Sequence, residues 1–474
     1  MTALPCPPRA QGAPCLRVAV VGSGPAGLYT AEALVQQAAY VAVDVLERLP
    51  TPYGLVRYGV APDHPSIRSI ADYLRRVLEH PRVRFLGGLR LGGEVTREML
   101  LSCYDAVVYA TGAARDRTLG VPGEDLPGSA AAADFVRWYC GHPDVDPAMF
   151  GLGARAVAVI GAGNVALDVA RVLARPAADF GATDVPEPVL AALAASRVEE
   201  VHVISRRGPA QARFTTRELR ELGELPGVDV TVEAARGELD GDAPAGDAGG
   251  PEAPDRRVRG NLAVLADWAG RERRGGPRRV SVRFWRRPVE ILGTGRVSAL
   301  RLERTVPAEP GRAVGTGVYE VLPVQLVLRS VGYRSVPLAG VPFDARRAVV
   351  PNAEGRVLDA DGRPRPGEYV VGWLKRGPFG VIGTNRADAA QTVRALLADR
   401  APGAVPAHRP DPAAPPLADQ LAARGVRPVT YAEWLGIDES EHRSAAALGR
   451  GDRVKLSGWE ALNTASGHRP GAAR

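Results

Sequence analysis

Lysine is almost absent: Lys375 and Lys455 are the two, and every other one of the 60 basic residues is arginine. Such a chain lacks compact, flexible point charges and offers planar guanidinium groups, which stay ionised and grip phosphate or carboxylate through paired N–H donors. With 53 acidic residues the formal charge is +7, which suits an acidic partner; a bias toward Arg, Ala, Gly and Pro along the whole chain accounts for it equally well. Cysteine is scarce too. Cys6, Cys15, Cys103 and Cys140 form no C-x-x-C pair, which argues against a zinc ribbon, an iron–sulfur cluster and a dithiol redox centre. Aromatic residues make up 5%, and the basic segments carry no interleaved stacking residues, so no nucleic acid is expected as a partner. No apolar run approaches the length of a membrane span, and MTALPCPPRAQGAPCLR has proline where a signal peptide needs an apolar core. The expectation is a soluble, cytoplasmic protein with reduced thiols and no membrane insertion.

What is present is a long globular chain. Its 474 residues exceed what one hydrophobic core usually holds, and 45% hydrophobic with 24% charged residues is ordinary for a folded protein. Residues 16–37, LRVAVVGSGPAGLYTAEALVQQ, run from an apolar strand through a glycine turn into a helix, the grammar of a βαβ unit. In Gly22-Ser23-Gly24-Pro25-Ala26-Gly27 the first glycine permits the tight turn and the second lets backbone approach a pyrophosphate. The third allows close helix–strand packing, with the helix N-terminus facing the anion. The next apolar run, VAVDVLE, ends in Glu47. A carboxylate there accepts hydrogen bonds from ribose hydroxyls and repels a 2′-phosphate, so this copy predicts a site for FAD or NAD and not for NADP.

Residues 154–174, ARAVAVIGAGNVALDVARVLA, repeat the pattern with Gly161, Ala162, Gly163, Asn164, Val165 and Ala166 in the turn. The following strand, VEEVHVISRR, ends in Arg206 and Arg207 instead of an acid. Two guanidinium groups at the ribose position suit a 2′-phosphate, and this copy predicts an NADP site. The plain alternative is that both are solvated surface charges. Two nucleotide sites of opposite ribose chemistry predict a flavoprotein that moves hydride from NADPH to FAD. Lacking a cysteine pair, the chain must discharge the flavin to an external acceptor.

These readings predict an α/β protein of two Rossmann-like dinucleotide-binding domains, the FAD domain discontinuous and the NADP domain inserted into it. Residues 1–15 read as a disordered tail, 16–118 as the first FAD segment, 119–335 as the NADP domain, and 336–474 as the second FAD segment with a C-terminal extension. YDAVVYATGAARDR and VQLVLRSVGY read as exit strands, VSVRFWRRPVEILG and VSALRLERTV as strands in succession, and residues 235–258 as a flexible excursion.

Three longer segments, PYGLVRYGVAPDHPS at 52–66, SRRGPAQARFTTRELREL and GWLKRGPFGVIGTN, resemble the signatures of the adrenodoxin-reductase type of ferredoxin–NADP⁺ reductase, and the likeness spans most of residues 16–400. The resemblance implies that Ala26, Glu47, Leu55 and Leu89 line FAD. It places Trp373, Gly380, Val381 and Ile382 at the flavin ring, with Gly380 giving the nicotinamide room to approach. On the NADP side it implies Arg117, Ala162, Gly163, Asn164, Val165, Arg206, Arg207 and Glu218, and it makes a ferredoxin, an acidic iron–sulfur protein, the transient acceptor. An NADPH-dependent quinone reductase or oxidase would use the same two sites, and a non-catalytic NADP-binding sensor would use the fold for partner recognition.

Other residues carry two readings. His64 in Pro62-Asp63-His64-Pro65 could exchange protons near the flavin, with Glu221 as its partner, or be an ordinary loop histidine. Thr215 and Glu218 fit a capping box. Arg217, Arg220, Arg271, Arg273, Arg274, Arg278 and Arg279 read either as a docking face for an acidic partner or as a solvated helix end. Lys375 and Arg376 read as a basic turn near a pyrophosphate, and tryptophans other than Trp373 as packing residues.

Overall fold

The computed structural model describes residues 15–64, 69–234, 239, 255–272, 275–309, 312–380, 382–401 and 408–467. It divides into two compact units, one of Met1–Arg115 with Tyr333–Arg474 and one of Asp116–Gly332.

The first unit is built on a sheet containing β1 (Leu16–Val21), β2 (Val41–Leu46), β3 (Val83–Leu86) and β4 (Ala106–Tyr109). Across it the order is Asn352–Ala353, Arg356–Leu358, Pro364–Val370, β4, β1, β2, β3. The five strands from Pro364–Val370 to β3 are parallel. Parallel strands are covered on both faces, which is why they read as unbroken apolar runs. Along β1, Val18 and Val20 enter one core with Val43, Val45 and Val108, while Ala19 and Val21 enter the opposite core with Leu46, Val107 and Tyr109. Helix α1 (Pro25–Gln37) and helix Thr384–Ala398 pack together over the first of these cores.

The second unit carries an all-parallel sheet in the order Ser129–Ala131, Leu326–Arg329, Ala156–Ile160, Glu200–Ile204, Arg278–Arg283, Val228–Glu233. An antiparallel sheet of Arg286–Leu292, Ala299–Pro307 and Ala313–Pro323 adjoins it, and Ile291, Leu300 and Leu302 of that sheet share a core with Val297 of the connecting loop and with Ala158, Ile160, Ile204 and Val327. The stretch read as one strand from VSVRFWRRPVEILG is thus two, broken at Phe284 and Trp285. The tail read at 1–15 and the excursion at 235–258 fall largely outside the described residues. At its end the excursion is helical, because Asp255 Oδ1 accepts the Arg257 N–H at 3.2 Å and starts the helix Arg256–Ala269. Among the described residues no helix is long and apolar enough to cross a membrane.

Candidate active site: two glycine cradles

At the carboxyl end of β1, Gly22 turns with φ +115°. A Cβ there would stand 2.5 Å from the Ala110 carbonyl oxygen, and one on Gly27 would stand 1.9 Å from that of Gly22. The packing of the protein itself dictates these two glycines. Gly24 differs, for its Cβ would meet nothing nearer than the Gly54 Cα at 3.9 Å. Nothing in the fold forbids a side chain at Gly24. The space it would fill lies at the N-terminus of α1, which begins with Pro25 and has no side-chain cap, so a pyrophosphate can take that place.

Glu47 follows β2 and locks this turn. Its Oε2 accepts from the Ser23 N–H at 3.0 Å and the Ser23 hydroxyl at 2.8 Å, and its Oε1 accepts from the Leu49 N–H at 3.1 Å. A carboxylate has about four acceptor positions, so one remains for a ribose hydroxyl. Leu89 is buried and its N–H donates to the Glu47 carbonyl at 2.8 Å, whereas Leu55 is 37% exposed at the start of the short helix Leu55–Tyr58. Tyr53 donates its N–H to the Ser23 carbonyl at 3.1 Å, which seats segment 53–58 on the glycine turn.

The return segment meets the same turn at Gly372, where φ is +69° and a Cβ would lie 2.6 Å from Ala26 Cβ. Trp373 opens the next short helix, half-buried, with its ring centroid 5.6 Å from that of Tyr333. Asp388 accepts from the Gly372 N–H at 2.6 Å, Lys375 Nζ at 2.8 Å and Arg376 Nη1 at 3.0 Å. Both cations of the turn read as basic thus share one carboxylate, carried on the helix Thr384–Ala398. Gly380 is exposed, with φ +86° and a Cβ position 2.8 Å from Thr384 Oγ1, so its glycine is required by the chain as well. Ile382 packs against the core beside α1, and Val381 lies outside the described residues.

A contact that sequence reading missed holds segment 53–58 from the other side. Arg57 and Glu441, 4% and 0% exposed, form a two-pronged ion pair, and the same carboxylate accepts from Arg453 Nη1 at 2.8 Å and the Leu456 N–H at 2.9 Å. Burial alone would raise the Glu441 pKa; the guanidiniums of Arg57 and Arg453 overcome it and hold the carboxyl below its ordinary value.

In the second unit Gly161 turns with φ +147°, and a Cβ would stand 2.1 Å from the Ser330 carbonyl oxygen. At Gly163 a Cβ would meet nothing within 4 Å, so again the second glycine is the one the protein does not need. The loop after Arg207 folds over this turn: the Arg213 N–H donates to the Ala162 carbonyl at 2.7 Å, and the Thr215 N–H to Asn164 Oδ1 at 2.8 Å. That second bond prevents the expected capping box. Thr215 Oγ1 does accept the Glu218 N–H at 3.4 Å, but with its own N–H engaged it leaves the Glu218 carboxylate to Arg171 Nη1, at 3.2 Å. Arg171 is wholly buried and also binds Asp168 at 2.7 Å. Val165 lies in the first turn of the helix Asn164–Ala174; Arg206 is exposed and Arg207 half-buried at the end of Glu200–Ile204. Arg117 is exposed, and its N–H donates to the Gly332 carbonyl at 2.9 Å.

His64 is 6% exposed, with its N–H on the Ala61 carbonyl at 3.1 Å. Glu221 accepts from Arg217 Nε at 2.9 Å one turn away on its own helix. The arginines read as a docking face serve local partners. Arg271 binds Asp267 and the Gly223 carbonyl, Arg278 the carbonyls of Leu173 and Arg175, and Arg279 binds Glu200. Arg220 is exposed, and Arg273 and Arg274 lie outside the described residues. Cys103 and Cys140 are buried and form no disulfide, while Cys15 is disulfide-bonded, so the expectation of reduced thiols fails there. Cys15 precedes β1 at the end away from Gly22, roughly 20 Å along six residues of strand.

Residues 16–248 match the family model described as pyridine nucleotide-disulphide oxidoreductase. The chain is 47% identical over 455 residues to the NADPH-ferredoxin reductase FprA of Mycobacterium tuberculosis, covering 93% of this chain and 96% of that protein. It is 40% identical over 461 residues to the mitochondrial NADPH:adrenodoxin oxidoreductase of Salvelinus fontinalis, covering 95% and 91%. A solved structure titled Mycobacterium tuberculosis FprA in complex with NADPH superimposes with a TM-score of 0.86 at 43% identity, covering 95% of this chain and 99% of that one. The chain therefore belongs to the family of NADPH-ferredoxin and NADPH:adrenodoxin reductases.

Proposed function

We propose that this protein oxidises NADPH at the cradle of its second unit and passes the electrons through FAD, held by the first unit, to an iron–sulfur ferredoxin. The observation that carries the nucleotide part is the contrast among the glycines: Gly22, Gly27 and Gly161 are demanded by backbone collisions at 2.5, 1.9 and 2.1 Å, whereas Gly24 and Gly163 are not. A glycine that the protein does not need is explained by a ligand that approaches its backbone. When bound, FAD supplies a ring that accepts an electron pair as hydride and releases electrons singly.

The chain's own residues do the rest. The N-terminus of α1 faces the FAD pyrophosphate, and Glu47 accepts a ribose hydroxyl and disfavours a 2′-phosphate. Asp388 holds the turn from Gly372 through Arg376 in place beside Ala26. Arg206 and Arg207 bind the 2′-phosphate of NADPH, with Arg117 at the entry to that unit. Hydride transfer between cofactors asks for no general acid, so His64 and Glu221 serve structure in this reading. The names of the relatives and the charge of +7 support an acidic ferredoxin as acceptor.

The test is an anaerobic absorbance titration of the purified flavoprotein with NADPH and with NADH, followed by oxidised ferredoxin. Bleaching at much lower NADPH than NADH, with prompt reoxidation by ferredoxin, is the expected result. Bleaching that a quinone or oxygen reverses and ferredoxin does not would transfer the acceptor to that second class. Equal response to NADPH and NADH would remove the role given to Arg206 and Arg207.

A further inference from the structure

Trp285 combines two features that a packing residue has no need of. It interrupts two strands at φ +55°, a backbone region in which a bulky side chain is an outlier. Its indole Nε1 is buried and has no acceptor among the described residues. Strain of this kind persists where the surroundings fix a geometry, and here the surroundings are the loop that carries Arg206 and Arg207.

The indole packs against Gly208, where a Cβ would come within 2.5 Å of Cζ2 and 2.8 Å of Cε2. The Trp285 N–H donates to the Arg207 carbonyl at 3.4 Å, and that oxygen also accepts the Ser205 hydroxyl at 2.9 Å. The Trp285 carbonyl accepts the Thr305 N–H at 3.1 Å, and the Thr305 hydroxyl donates to the Arg206 carbonyl at 2.8 Å. Both arginine carbonyls are thereby tied to the antiparallel sheet through one residue and its neighbour, while the Arg206 side chain remains exposed. A loop held this way presents its guanidiniums without ordering the backbone at the moment of binding.

We propose that Trp285 is a positioning residue that sets the preference for NADPH over NADH, by fixing the backbone from which Arg206 and Arg207 reach the 2′-phosphate. This inference rests on the NADP reading of the second unit. Trp285 touches no reacting atom, so its effect belongs in affinity for the phosphorylated ribose and not in chemistry.

The experiment measures binding of 2′,5′-ADP and 5′-AMP to the intact flavoprotein by calorimetry, for the parent and for Trp285→Ala, Trp285→Phe, Gly208→Ala and the Gly208→Ala/Trp285→Ala pair. Trp285→Ala should weaken 2′,5′-ADP by about tenfold, the scale of one charge-assisted contact, and leave 5′-AMP unmoved. In turnover the KM for NADPH should rise while kcat at saturation holds. Gly208→Ala alone should push the indole out and lose the same preference, yet add little once Trp285 is alanine. Trp285→Phe, which still covers Gly208, should restore most of the preference; with Gly208→Ala it carries the comparison if Trp285→Ala does not fold. Equal weakening of both ligands, no weakening of either, or full additivity of the pair would overturn the proposal. A parent protein that binds both ligands alike would bring down the NADP reading and this role together, whereas a parent preference that survives every variant would bring down this role alone.

Discussion

Two carboxylates, the buried Glu441 and the half-buried Asp116, show how environment decides the sign of a charge's contribution. Glu441 is surrounded by donors and is held ionised. Asp116 has one amide, the Ala133 N–H at 2.9 Å, and burial pushes its pKa from 3.8 up to about 6, with Asp134 adding to the shift and Arg137 and Arg329 opposing it. A raised carboxylate pKa means that the folded state binds the proton more tightly than the unfolded chain. Its stabilising effect is therefore complete below about pH 4 and is lost as pH rises through about 6, a difference of roughly 3 kcal/mol for a shift of that size. Asp116→Asn keeps an oxygen for Ala133 and removes the charge. The variant should unfold at higher denaturant than the parent at pH 7.5, by about 1–3 kcal/mol, and the gap should close near pH 4. A gap that is absent at pH 7.5, or equal at both pH values, would show that water reaches Asp116 and leaves it an ordinary carboxylate.

Among the elements, the strand–turn–helix units make the sharpest prediction. Gly163 stands at φ −121° and ψ 175°, an extended conformation open to any residue, with nothing within 4 Å of a Cβ. Gly163→Ala should fold with a melting temperature within about 3 °C of the parent and lose at least about tenfold in NADP⁺ affinity, read by calorimetry. Gly161→Ala, aimed at the Ser330 carbonyl, should fail to give folded protein. If Gly163→Ala kept its affinity, the second glycine would be incidental and the cradle argument would fail. These units were legible in the sequence because a continuous apolar run, a glycine turn and the residue closing the next strand are all local signals. The rest was not local. The apolar alternation of VSVRFWRRPVEIL slips by one residue at Phe284–Trp285, from Val280, Val282 and Phe284 to Trp285, Val289 and Ile291, which marks a break but gives no sign of the Gly208 that packs against the indole. Asp388, which pairs with both Lys375 and Arg376, sits in a helical stretch with nothing to mark it. Arg57 and Glu441 lie 384 residues apart, and no spacing rule connects them.

At the scale of the molecule the two units differ in how they can fold. Unit Asp116–Gly332 is one continuous stretch whose ends meet, since the Arg117 N–H bonds the Gly332 carbonyl, and its closing strand Leu326–Arg329 lies between Ser129–Ala131 and Ala156–Ile160. The other unit needs both of its segments: Pro364–Val370 pairs with β4, helix Thr384–Ala398 covers α1, and Glu441 neutralises Arg57 in the segment that rests on Ser23. A domain with adjoining ends tolerates excision. Residues 116–332 expressed alone should therefore unfold in one cooperative transition and bind 2′,5′-ADP in preference to 5′-AMP. Residues 1–115 alone should show no cooperative transition and retain no FAD, because without Glu441 the buried Arg57 guanidinium has lost its counter-charge, and α1 has lost its cover. During synthesis this order makes the FAD cradle the last part to form. An insoluble 116–332 fragment, or a 1–115 fragment that holds flavin, would reverse that order.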